Sequence, residues 1–267
     1  SERQGVAYAR PLLDLVQAAQ GRREAATLSM PTGDLQQRIE ALHAQVIAQH
    51  RSFPSGKRLQ EAFDAFEKQH GASQQAGAGA DPDKTFQIHT DYIASALDLL
   101  ASVIDDSQLS LDPDLDTFHM MNVSLLRGPQ QTENTHKLAV LGGLVLKTGD
   151  MSTQRHDHLV EWAAVQRLLD DQVEASYQAG IANVAETGRL FDMEGTDVAF
   201  DAFMNGVRQQ LMTGTPAGSP EVYGQLGHAV FAKQNELNGK ILDELARRLQ
   251  ARIDRLQVEI GEQLAVS

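Results

Sequence analysis

Apolar residues recur along this chain at spacings of three and four, the periodicity of amphipathic helices, whereas the alternation typical of strands is nearly absent. The first such segment covers residues 5–28 and ends at Met30–Gly33. Thr32 can cap the second helix. A short helix is predicted after Gly56, and residues 71–80, rich in Gly, Ala and Gln, are expected to form a mobile loop.

Three sites place a capping side chain directly before a proline, which favours the first turn of a helix: Asp81-Pro82, Asp112-Pro113 and Ser219-Pro220. The segment that begins at Asp112 is expected to continue to about Lys147. A kink is predicted within it at Gly128-Pro129, because proline removes a backbone donor. Two more helices, over 152–190 and 195–212, are predicted from capping and glycine signals.

The last helix is predicted from Ser219 to the end of the chain. Apolar residues recur along it at intervals of three, four or seven as far as Leu264, and no proline follows Pro220. A helix of more than 40 residues is roughly 60–70 Å long at 1.5 Å per residue. It exceeds the length of one small bundle, so we expect it to transmit movement out of this region.

These elements predict an all-α fold in which long antiparallel helices form one or two stacked four-helix-bundle modules. Residues 28–108 and 109–218 would be inserted between the first helix, 1–28, and the last helix, 219–267. The whole of 1–267 is then one helical region with two modules.

Composition excludes several kinds of function. The chain has 267 residues with a formal net charge of −13, so it is a poor candidate for binding nucleic acid or an anionic membrane surface. It has no cysteine, which excludes disulfides and zinc–thiolate sites. A local basic pocket could still bind a small anion. No phosphate loop, dinucleotide fingerprint or nucleophile elbow occurs, and we expect a non-enzymatic protein without a cofactor.

Two Glu-x-x-His pairs, Glu67…His70 and Glu133…His136, have the spacing used in the di-iron sites of four-helix bundles. A metal-binding helical bundle is therefore an alternative function. Solvated helix faces are the simpler interpretation of both pairs, because acidic and imidazole side chains are mostly exposed.

The candidate ligand site centres on Arg127, just before the predicted kink, with His119 and Asn122 on the preceding turns. A cation among leucines must find a partner, and the partner is either a carboxylate or freed backbone carbonyl, or a ligand. Tyr92 and Arg22 are added as supporting residues. For Arg22 and its neighbour Arg23, a surface role near the end of the first helix is the alternative to ligand binding.

Three stretches resemble the helical extracytoplasmic sensor region of bacterial methyl-accepting chemotaxis receptors, which also occurs in some membrane histidine kinases and diguanylate cyclases. They are Gly5–Leu13, Leu109–Phe118 with Met121 and Arg127 after it, and Ser219-Pro220 leading into 241–253. The match to Leu-Asp-Pro-Asp-Leu-Asp at 111–116 is the most specific part. The chain has Arg22-Arg23 where the family usually has His-Arg-Gly, so the resemblance does not identify the ligand.

The resemblance implies a periplasmic domain of an inner-membrane receptor, anchored by helices outside this sequence and working as a homodimer. A chemoreceptor is the first expectation, and the sensor region of a histidine kinase or diguanylate cyclase is the alternative. The ligand would be a small molecule, such as an organic acid, or a periplasmic binding protein. Its binding would displace the last helix.

Overall fold

The computed structural model describes residues 1–76, 81–112, 114–182 and 191–267. Within these ranges all regular secondary structure is helical, which confirms the predicted all-α fold of antiparallel helices in bundles. The helices are α1 Glu2–Thr27, α2 Leu35–Ser52, α3 Lys57–Gln75, α4 Pro82–Asp106, α5 Leu115–Met121, α6 Gly128–Thr148, α7 Thr153–Gly180, α8 Met193–Leu211 and α9 Pro220–Val266. A 3₁₀ turn, Leu109–Leu111, precedes α5, and a π-helical segment, Asn122–Arg127, joins α5 to α6.

The N-terminal bundle consists of α1, α2, α3 and α4, and its strongest contacts join α1 to α2, α1 to α4 and α3 to α4. Its interior buries aliphatic side chains such as Leu12 and Ile39 together with the rings of Tyr8, Phe66 and Tyr92. These residues recur at helical spacing on one face of each helix, so burying that face drives the packing.

The C-terminal bundle consists of α6, α7, α8 and α9. Its core is a separate apolar cluster that includes Leu138, Trp162, Phe203 and Tyr223. The two clusters meet along α9, because Val230 belongs to the C-terminal one whereas residues 237–249 of the same helix pack into the other. The division of the chain into two modules at the predicted boundaries stays a prediction.

A buried chain of hydrogen bonds crosses the C-terminal bundle. The Asn134 amide donates to the carbonyl of Trp162 and to Gln166 Oε1, at 2.7 and 2.9 Å. Gln166 Nε2 donates to Thr135 Oγ1, whose hydroxyl donates to Gln234 Oε1 at 2.9 Å. These bonds link α6, α7 and α9, and the network ends at Gln234, whose Nε2 is buried without a partner among the described residues.

Most predicted helix ends are confirmed. The Asp81 side chain accepts hydrogen bonds from the first amides of α4, Ser152 caps α7 and Ser219 caps α9. Gly149 ends α6 in the left-handed conformation, with φ of 70°. Each of these signals acts within one helical turn, so the local sequence is enough to fix it.

Other predicted boundaries were wrong. The second helix begins at Leu35 after Asp34, so Thr32 does not cap it. The helix after Gly56 is not short: α3 has 19 residues and continues through part of the predicted loop at 71–80, of which 77–80 lie outside the described residues.

The start of the segment predicted at Asp112-Pro113 was also wrong. Pro113 lies outside the described residues, and α5 begins at Leu115. The Asp112 carboxylate instead pairs with Arg252 of α9, at 3.2 Å. Helix α7 also ends earlier than predicted, at Gly180, ten residues before the expected end. Residues 183–190 lie outside the described residues.

The predicted kink at Gly128-Pro129 takes the form of the π-helical segment. The backbone stays helical throughout, and the Gly128 amide bonds to the carbonyl of Val123, five residues back. The wider π turn gives room for the proline ring, which in an α-helix would collide with the carbonyl four residues earlier. A Cβ at Gly128 would lie 2.1 Å from the Val123 oxygen and 2.5 Å from Asn238 Oδ1, so only glycine lets α9 approach this turn.

The last helix is unbroken over 47 residues, about 70 Å at 1.5 Å per residue. It runs beside α1, since Arg252 pairs with Glu2 at 3.2 Å and Arg10 pairs with Asp243 at 3.0 Å. Arg252 also holds Asp114, just before α5, and Arg248 holds Asp116 in the first turn of α5. Residues 254–267 extend past these contacts and are exposed.

Among the described helices, none combines the length and the hydropathy needed to cross a membrane.

Candidate ligand site

The last two turns of α1 carry two consecutive arginines into the interior. Arg22 is 3% exposed and Arg23 is fully buried, so the expected surface role for them was wrong. Because α1 packs against α2 and α4 and also touches α6, neighbouring positions on it face different partners and neither face is open to solvent. Sequence reasoning missed this because two adjacent charged residues are normally exposed.

Arg23 is neutralised. Its guanidinium donates to both carboxylate oxygens of Glu133 on α6, at 2.8 and 2.7 Å, and to Thr90 on α4 at 3.1 Å. His136 Nδ1 lies 2.7 Å from Arg23 Nη2 and therefore accepts from it. Burial, together with the nearby positive charge, lowers the pKa of His136 well below its usual range, which keeps its ring neutral. Gln20 completes the shell by donating to Glu133 at 3.2 Å.

This arrangement contradicts the expected solvated face for Glu133 and His136, which are 7% and 4% exposed. It also removes the main support for a metal site, because the guanidinium occupies the carboxylate that would hold the metal. No group of three acidic or histidine side chains in the described parts of the chain is placed to hold an ion. Glu67 and His70 are half-buried, and Glu67 Oε1 lies 2.5 Å from His43.

Arg22 has no such counterion in the described parts of the chain. Its Nη1 donates to the neutral amide of Gln36 at 2.9 Å, and its guanidinium lies 5.5 Å from the ring centre of Tyr92. Its Nε and Nη2 are buried without a hydrogen-bond partner among the described residues. Burial accordingly lowers the pKa of Arg22, because the pocket disfavours an uncompensated positive charge.

His89 on α4 adds a second unsatisfied group. Its ring is 1% exposed, and neither Nδ1 nor Nε2 has a partner in the described parts of the chain. Burial, reinforced by the charges of Arg22 and Arg23, lowers the pKa of His89 to about 4, so the ring is neutral near pH 7. Sequence analysis missed His89, although it stands on the apolar face of α4 between Phe86 and Ile93, and that position signals burial.

Tyr92 on α4 packs against Arg22. It is fully buried, and its hydroxyl bonds to His70 Nδ1 on α3 at 2.8 Å. The His70 ring stacks on His43 with ring centres 3.6 Å apart, and burial lowers the pKa of His70 to about 4. Helices α1, α2, α3 and α4 therefore each contribute a polar side chain to the surroundings of Arg22.

The predicted site residues do not form one group. Arg22 and Tyr92 meet in the N-terminal bundle, whereas His119 and Asn122 both contact Ser176 of α7, at 2.7 and 3.0 Å. Arg127 is half-buried and donates to Gln130, one turn later. Among the predicted site residues, Arg22 has buried donors without a partner in the described parts of the chain, while the others have protein partners.

Arg22 and His89 together offer buried hydrogen-bond donors, and no anionic side chain pairs with them among the described residues. An imidazole can donate through only one nitrogen when neutral, so His89 supplies one donor, and Arg22 supplies two more. Such a set of groups suits a small oxyanion.

The chain matches no family model, no curated protein and no solved structure.

Proposed function

We propose that this chain is the ligand-sensing domain of a transmembrane signalling receptor, outside the cytoplasm, and that it binds a small anion at Arg22. The observation that carries the proposal is a buried arginine with two unpartnered donor nitrogens and no carboxylate partner among the described residues. A chemoreceptor is the first choice of receptor, and the sensor region of a histidine kinase or diguanylate cyclase is the alternative. The sequence resemblance to such receptors supports this choice.

The energetics favour an anion over any neutral ligand. A buried polar group without a hydrogen bond costs about 1–3 kcal/mol, and more when it is charged. A carboxylate or similar oxyanion would satisfy Arg22 Nε and Nη2 in the paired geometry that guanidinium groups prefer. It would also compensate the charge whose burial lowers the pKa of Arg22. A short carboxylate is the smallest organic ligand with this charge and this pair of acceptors, which suits a site buried among four helices.

The site is connected to the last helix through α1. Arg22 lies near the C-terminal end of α1, and the other end of the same helix contacts α9 through Arg3–Gln250, Arg10–Asp243 and Glu2–Arg252. A ligand that pulls α1 toward α4 therefore changes the position of α1 relative to α9. Displacement of one packed helix against another is a common form of signal transmission. In a homodimeric receptor, that displacement would reach the cytoplasmic module.

The binding test compares two arginine variants. Thermal unfolding is followed with acetate, succinate or sulfate at constant ionic strength, for the unaltered chain, Arg22→Met and Arg51→Met. Arg51 is exposed at the end of α2 and serves as the matched control. Binding to the folded state alone stabilises it by about 2.7 kcal/mol at one hundred times the dissociation constant. We expect at least one of the three anions to stabilise the unaltered chain and Arg51→Met but not Arg22→Met.

A response that persists in Arg22→Met, or that disappears equally in Arg51→Met, would remove Arg22 from the site. Stabilisation by none of the three anions would contradict the proposed ligand class.

The transmission test uses the absence of native cysteine. Spin labels are placed on cysteines substituted for the exposed residues Gln4 and Gln257, on α1 and α9. The distance distribution between them should shift on addition of the anion that stabilises the chain, and should not shift in the Arg22→Met background. An identical distribution with and without a bound anion would contradict transmission through α1.

A further inference from the structure

A second cavity lies away from Arg22, where the two bundles join. It has a volume of about 220 Å³ and is enclosed by the middle of α1, the π-helical segment with the start of α6, and the middle of α9. These are the elements that connect the N-terminal bundle to the last helix. The cavity therefore lies directly on the route from α1 to α9.

The lining combines an apolar wall with amides. Val16, Pro129 and Leu242 are buried and form the apolar part. The amides of Gln17, which is exposed, and Asn238, which is half-buried, also line it. An amide offers a carbonyl acceptor and an NH₂ donor side by side, so it can satisfy a hydroxyl group, which both donates and accepts.

The charges here differ from those at Arg22. The one arginine in the lining is Arg10, and its guanidinium is already paired with Asp243 at 3.0 Å. A second carboxylate, Asp14, is exposed at the rim. With one cation against two carboxylates, this cavity repels an anion, whereas the Arg22 pocket attracts one. Its occupant should be uncharged and rich in hydroxyl groups.

We propose that this cavity is a second binding site, for a small uncharged polyol of the size of a monosaccharide. Pockets for drug-sized ligands measure about 300–1,000 Å³, so a cavity of 220 Å³ limits the occupant to a single small ring. The C–H face of such a ring would lie against Pro129 and Leu242, and its hydroxyls would meet Gln17 and Asn238. This site is independent of the proposed function of Arg22.

The position of Asn238 links occupancy to the neighbouring helix joint. Asn238 lies against Gly128, at the point where a side chain on residue 128 would collide with it. A ligand that holds Asn238 would therefore fix α9 against the π turn. Interruptions of this kind in α-helices are frequently found at functional sites.

Gly239 provides a way to fill the cavity without disturbing its walls. It lines the cavity, and a Cβ added there meets no atom within 4 Å. Gly261 is equally open on the exposed part of α9 and supplies a matched control. Leucine at either position should raise the helix propensity of α9 by a similar amount, so that only Gly239→Leu occupies the ligand space.

The test is titration calorimetry of the whole chain with D-ribose, D-glucose and myo-inositol. We expect at least one of them to bind the unaltered chain and Gly261→Leu, and to bind Gly239→Leu at least about tenfold more weakly. The Arg22→Met variant should keep this binding, which separates this site from the anion site. Binding by none of the three, or equal binding to both glycine variants, would overturn the proposal.

Discussion

The interiors of the two bundles differ in how completely their buried polar groups are hydrogen-bonded. Across α6, α7 and α9, Asn134, Gln166 and Thr135 satisfy one another in sequence. Between α1 and α4, Arg22 and His89 stay unsatisfied although they are equally well buried. The first network ends at Gln234, whose Nε2 has no partner among the described residues, whereas several donors around Arg22 have none. A buried donor without a partner carries an unfavourable free energy that a ligand can relieve. The difference supports the proposed ligand site in the N-terminal bundle and predicts a more rigid C-terminal bundle.

The largest expected effect tests Arg23, the neighbour of Arg22 that has a carboxylate partner. Arg23→Met leaves the Glu133 carboxylate buried without its partner, and breaking a buried pair costs about 3–5 kcal/mol. Urea unfolding should show this loss, whereas Arg22→Met, which removes an uncompensated charge, should leave the ligand-free chain as stable as before or more so. Restoration of stability in the double variant Arg23→Met/Glu133→Met would confirm the cause. Equal losses in both single variants would erase the distinction between the two arginines.

A smaller contrast comes from one residue in each network. Gln166→Leu removes one hydrogen-bond partner from Asn134 and one from Thr135, and should lower the free energy of unfolding by about 2 kcal/mol without changing the response to anions. His89→Leu removes an unsatisfied ring, so it should raise the free energy of unfolding by about 1 kcal/mol and weaken the anion response. Destabilisation by both changes would mean that the two interiors are alike.

The smallest expected effect is the dependence of stability on pH. The pKa of His89 and of His70 falls from 6.5 to about 4 on folding, so the unfolded chain takes up protons first and stability is lost as pH falls from 6.5 toward 4. On α7 and α8, burial and neighbouring carboxylates raise the pKa of Asp170 and of Asp197 to about 6. There the folded chain takes up protons first, and stability is gained as pH falls from about 6 toward 3.8.

Unfolding by urea at pH values of about 7.5 and about 5 separates these opposing contributions. Relative to the unaltered chain, His89→Leu should lose less stability on acidification, because it lacks a group that penalises the folded state. Asp170→Asn should lose more, because it lacks the stabilising protonation. The opposite order for either variant would contradict the assigned direction.

The fold could be predicted from the sequence where the signal was local. Helical spacing gave the all-α fold, and Asp81, Ser152 and Ser219 cap helices because a capping side chain bonds within one turn. The site could not be predicted in the same way. The burial of Glu133 depends on α6 meeting α1 across more than one hundred residues, and no local pattern carries that contact. Arg22 and Tyr92 were predicted to lie in a ligand site, but their separation from His119 and Arg127 follows only from tertiary packing.

The acidic residues that pair with Arg248 and Arg252 make the molecule sensitive to ionic strength. Arg252 is partly exposed where it meets Asp114, so dissolved ions screen this pair far more than they screen the enclosed Arg23–Glu133 pair. As the medium becomes saltier, the acidic segment before α5 loosens from the last helix while the interior of the bundle keeps its geometry. The resting position of α9 would then shift with the salinity of the surroundings, before any ligand arrives.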